Sequence, residues 1–100
     1  MIIYNVTVNV EDSIREEWLE WMRSKHIPDV LATGLFTGNK IYKVDEPKSE
    51  EGTTYAIQYH CKSMEEYSKY RIEFAPSLQD EHQRKYGGKF VAFRSLLTEV

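Results

Sequence analysis

Residues 1–10 read MIIYNVTVNV, and their two-residue alternation puts Ile2, Tyr4, Val6, Val8 and Val10 on one side of an extended strand. Ile3, Asn5, Thr7 and Asn9 fall on the other side. A strand with one wholly apolar face needs a second layer to cover it. The rest of the chain must therefore provide partner strands and something to lay across them.

Covering helices are signalled twice. Ser13 followed by Glu16 has the spacing of a capping box, in which both side chains satisfy free backbone N–H groups. The helix behind it groups Ile14, Trp18, Trp21 and Met22 on one stripe, with Glu16, Glu17, Glu20 and Arg23 opposite. Pro28 disfavours helical backbone at Ile27, so this helix is expected to end near His26, with a short turn from Pro28 to Gly34. Ser63 and Glu66 form a second capping box ahead of a long helix from Met64 to about Tyr86. Pro76 should kink that helix, and Gly87-Gly88 should end it.

Strands are expected at Leu35–Glu46, at Thr54–Cys61 and in the closing segment KFVAFRSLLTEV, with the polar loop PKSEEGT between the second and third. The order β-α-β-β-α-β predicts an α+β ferredoxin-like sandwich, an antiparallel sheet with both helices on one face. One hundred residues make one domain, 1–100. The last strand is apolar on both faces, Phe90, Ala92 and Leu96 against Val91, Phe93 and Leu97, and Ile3 sits on the outer face of the first. The open sheet face is therefore expected to be covered by a second copy, giving a homodimer of the dimeric α/β barrel type.

Charge removes several classes of partner. The net charge is −3, and the 13 basic residues are spread along the chain without a run. Neutralising phosphates needs clustered Lys and Arg, and the Lys/Arg-Gly-Phe-like strand of RNA-binding sheets is missing, so nucleic acid is not expected. No apolar run is long enough for a membrane span. The N-terminus reads as a strand rather than a secretory leader, and Cys61 is the single cysteine, which fits a reduced cytoplasm.

His26 is the first candidate for chemistry, one helical turn after Met22 at the edge of the buried stripe. At a helix C-terminus the dipole would favour its protonated ring. It reads either as a proton-handling group at a pocket or as a core histidine that closes the helix. On the second helix, Arg71 and His82 fall on the stripe of Met64, Tyr67, Phe74, Ala75 and Leu78, as an anion anchor and a rim group, or else as a snorkelling arginine and a rim histidine without a ligand. Arg94 shares a face with Ala92 and Leu96 and reads first as a dimer-interface ion pair. Tyr55 and Tyr59 share one face of the third strand and could line a cleft or fill the core. No metal site is expected, because His60 and Cys61 point to opposite faces and no Cys-x-x-Cys or His-x-x-x-His occurs. No phosphate loop precedes a helix, Cys61 defaults to an inert buried thiol, and no cofactor is expected.

The segments EWLEWMRSKHIPDVLATGLF and YRIEFAPSLQDEHQRKYGGKFVAFRSLLTEV resemble a bacterial family catalogued as domain of unknown function 4286. The Trp-x-x-Trp-Met helix, HIPDV, TGLF, FAPSL and FRSLL carry the resemblance, which covers nearly the whole chain. The family is similar to the dimeric α/β barrel superfamily of cofactor-free monooxygenases, lactone isomerases, dehalogenation-associated proteins and heme enzymes. The resemblance implies a small-molecule cleft between helices and sheet, with His26 pointing into it. Two functions follow as expectations: binding or cofactor-free transformation of a small hydrophobic or anionic metabolite, or a non-enzymatic homodimeric interaction module.

Overall fold

The computed structural model describes residues 1–100. Four strands, β1 (Ile2–Val10), β2 (Gly38–Lys43), β3 (Thr53–Cys61) and β4 (Phe90–Thr98), form one antiparallel sheet in the order β2-β3-β1-β4. The alternating strand β1 is interior, flanked by β3 and β4. Residues directly across a ladder share a face. Tyr4 lies between Tyr59 and Leu96, Val6 between Ile57 and Arg94, and Val8 between Tyr55 and Ala92. These rows face the helices. The helix-covered core holds Val8, Val10, Trp18, Met22, Val30, Ile57 and Tyr59, all essentially without exposure. The ferredoxin-like sandwich expected from the pattern is the architecture found.

The two prolines behave differently from one another. Helix α1 (Arg15–Trp21) does not stop at His26. It widens into a π turn, Met22–His26, and re-forms as α2 (Ile27–Leu31) with Pro28 in its first turn. The Ile27 N–H bonds back to the Met22 carbonyl, five residues earlier. Pro28 brings no N–H and its ring crowds the preceding turn, and one extra residue in that turn accommodates both. Pro76 instead breaks its helix: α3 (Met64–Glu73) and α4 (Ala75–Tyr86) meet at Phe74, whose φ of −120° departs from the helical value. Gly88, at φ 85°, turns the chain into β4.

The capping boxes also part company. Ser63 accepts a hydrogen bond from the Glu66 N–H at 3.3 Å and caps α3. Ser13 caps nothing, because residues Asp12–Ile14 form a 3₁₀ turn and the following helix starts from Ile14 without a side-chain cap. Its hydroxyl reaches only the Glu11 carboxylate, at 3.5 Å.

The outer sheet face is polar at its centre, where Asn5 donates to Thr7 at 3.0 Å and to Ser95 at 3.5 Å. Along β4 it is apolar and open, with Val91 70% and Phe93 65% exposed. The two serines give a paired test. Ser63→Ala should cost about 1 kcal/mol in urea unfolding, and Ser13→Ala should stay within about 0.5 kcal/mol of the parent. Equal losses would contradict the caps described here.

Candidate functional site

The π turn determines where His26 points. His26 is the last residue of that turn, and its ring is buried, 9% exposed, against Trp21 in the middle of a helical run rather than at its end. The expected dipole effect is therefore overturned. Burial pushes His26 down to about 4 against the upward pull of Glu81 and then Asp29, while the positive charges of Arg94 and Lys25 add smaller downward effects. Its Nδ1 is buried and has no hydrogen-bond partner.

His82, on α4, faces His26 with ring centres 5.4 Å apart. Its Nε2 accepts a buried hydrogen bond from Trp18 Nε1–H at 3.0 Å. A neutral ring that accepts at Nε2 carries its proton on Nδ1. Protonation would place two N–H groups against each other, and burial, with His26 and Arg94 nearby, pushes His82 down to about 4 as well. Phe90 stacks flat on the ring at 3.9 Å, and Trp21 tilts against both histidines at 5.2 and 5.5 Å.

The two histidines line a small cavity between helices and sheet, about 20 Å³, whose wall also includes Tyr4, Tyr59, Tyr70, Gln79 and Arg94. That volume suits one water-sized molecule. Gln79, His82 and Arg94 line both this cavity and an open groove of about 550 Å³ between α4 and β4. They form the threshold between the two. Burial raises the phenols of Tyr59 and Tyr70, so both rings stay neutral donors.

His26, His82 and Tyr59 are thus brought together, and Arg71 is not. Arg71 is exposed on α3, outside the cavity and the groove. The break at Phe74 ends the helical phase that related it to His82. The arginine at the site is Arg94, opposite Val6 on the helix-facing side of β4 rather than on the open face that an interface ion pair requires. Its Nε donates to the Tyr4 hydroxyl at 3.2 Å. Sequence reasoning missed Gln79 and Tyr4. Tyr4 was visible as an inward residue of β1, but its pairing with a residue ninety positions away was not. Among His, Cys, Asp and Glu, no group of three is arranged to hold a metal ion. No helix is long and apolar enough to cross a membrane.

A family model described as Domain of unknown function (DUF4286) matches residues 1–100. No curated protein matches the chain. Among solved structures, a dimeric ferredoxin-like protein from an uncultured marine organism superposes with TM-score 0.68 at 15% identity, covering 100% of this chain and 95% of the other. An ethyl tert-butyl ether d (ethd) family protein from Bacillus halodurans gives 0.67 at 12% identity, covering 100% of both chains. Hydroxynitrile lyase from Passiflora edulis gives 0.66 at 12% identity, covering 99% and 95%. At such identities the likeness is one of fold.

The two depressed histidines make stability depend on pH. Folding favours their neutral form, so their contribution is complete above the unfolded value near 6.5 and is lost as pH falls toward about 4. Each should remove about 1.4 kcal/mol per pH unit inside that window. From pH 6.5 down to 4 the urea midpoint of the parent should fall more steeply than that of His26→Gln, because unfolding the variant takes up one proton fewer. Parallel profiles would refute burial of a neutral His26.

Proposed function

We propose that this chain, which belongs to the DUF4286 family, binds a small hydrophobic or anionic metabolite at the cavity and groove between helices and sheet. One observation carries the reading: a buried, neutral imidazole whose Nδ1 has no partner, beside a second neutral imidazole. An unsatisfied buried polar atom costs about 1–3 kcal/mol and is kept where something else will meet it. His26 would be the hydrogen-bonding or acid/base group, His82 the rim group with its tautomer held by Trp18, and Tyr59 part of the wall. A neutral ring can take a proton from bound ligand without first losing its own. A lyase among the structural neighbours supports a site that can do chemistry as well as bind.

The same chain would pair through its open sheet face. The neighbour described as dimeric supports this, as do Val91 and Phe93, exposed side by side on β4 with Leu97. A second reading, an interaction module without a ligand, is favoured by the smallness of the cavity in this conformation.

His26→Phe keeps ring volume and removes the orphaned nitrogen. Its melting temperature should equal or exceed that of the parent, because no partner is left unpaired. Screened against a metabolite panel, the parent should gain up to about 2.7 kcal/mol with a ligand at a hundred times its Kd, and the variant should gain nothing. A variant several degrees less stable, with no ligand found for the parent, would assign His26 to the core and the protein to the module reading. For the pairing, Phe93→Asp should convert a dimer into a monomer in sedimentation velocity. A parent that sediments as a monomer would remove the dimer.

A further inference from the structure

Charge at the threshold narrows the ligand class. Arg94 is the one cation lining either the cavity or the groove, since both histidines are neutral. It takes part in none of the five ion pairs of the structure, so no carboxylate lies within bonding reach of its guanidinium. The one acid at the groove, Asp80, is occupied by Arg84 at 2.7 Å. Tyr4 holds Arg94 through Nε alone. That bond orients the planar group while leaving its Nη atoms free to donate. Gln79, on the facing helix, adds an amide to the same threshold.

We propose that Arg94, oriented by Tyr4 and assisted by Gln79, is the anion anchor of this site and that the ligand is a small organic monocarboxylate. This rests on the reading of the cavity and groove as a ligand site. The carboxylate lies on the Arg94 fork at the threshold, and the apolar body lies beside Phe90 and His82. A single guanidinium matches one negative charge in a two-point contact. A phosphate dianion would bring a second charge, and no lysine lines the site to meet it. The assignment transfers the anchoring role from Arg71 to Arg94.

Benzoate and its neutral isostere benzamide are the probes, titrated into the labelled full-length protein at fixed ionic strength. The readout is the NMR shift of the Arg94 Nε–H and of the His26 and His82 rings. Benzoate should give saturable shifts at all three and bind about tenfold tighter than benzamide, a difference that added salt weakens. Arg94→Gln should bring the two probes to parity, and Arg94→Lys should keep part of the preference. Equal binding of both probes to the parent, with the histidines shifted, overturns the anchor and leaves the ligand site standing. Inorganic phosphate binding tighter than benzoate overturns the carboxylate class. No saturable shift with any probe overturns the anchor and the ligand site together. The comparison on the parent alone decides the matter if Arg94→Gln does not fold.

Discussion

A single buried hydrogen bond, Trp18 Nε1–H to His82 Nε2, ties the first helical run to the last helix. Without it the indole N–H and an imidazole nitrogen would both be buried and unpaired, a double desolvation cost. Around this bond the aromatic side chains arrange themselves. Tyr55 of β3 lies against Trp18 at 5.4 Å, Phe90 of β4 stacks on His82, and Trp21 and Tyr86 close the side toward solvent. Helices α1 and α4 and strands β3 and β4 thereby meet at one point. The same bond leaves His82 with a fixed tautomer, so a contact that serves stability also determines which nitrogen is a donor.

The contrast between the two histidines follows from that bond. His82 is satisfied at the nitrogen that faces the core. His26 sits in the same aromatic setting with Nδ1 unsatisfied. Glu81 Oε1 is likewise buried without a partner, and its charge is the largest influence opposing the downward shift of His26. His26 Nδ1 at the cavity wall and Glu81 Oε1, next to His82 in the chain, are the two buried side-chain polar atoms left without a partner. Such unpaired atoms cost stability and are kept near sites that act on something else.

Much of the fold was legible because it depends on short-range pattern. The alternation in residues 1–10 and in Thr53–Cys61, the Ser63 cap and the glycines after α4 act over a few residues, and each appears where its local chemistry places it. Local signals erred where two of them competed. Ser13 had the spacing of a cap, but the 3₁₀ turn at Asp12–Ile14 moved the helix start beyond it. Pro28 had the chemistry of a stop, but burial of Ile27 and Val30 favoured continuing the helix through a π turn.

What the sequence alone determined is the set of apolar faces, the number and order of the layers, and the absence of a metal-ligand or phosphate-loop spacing. Those properties depend on period and composition, which the chain carries residue by residue. Which side chains meet was decided only in three dimensions. Arg71 and His82 share a stripe on paper and are separated by a helix break. Arg94 and Tyr4 lie at opposite ends of the chain and are brought together by adjacent strands. The site depends on register and on the phase of two interrupted helices. Neither is a property of any local segment, because each is selected by the packing of all the layers at once.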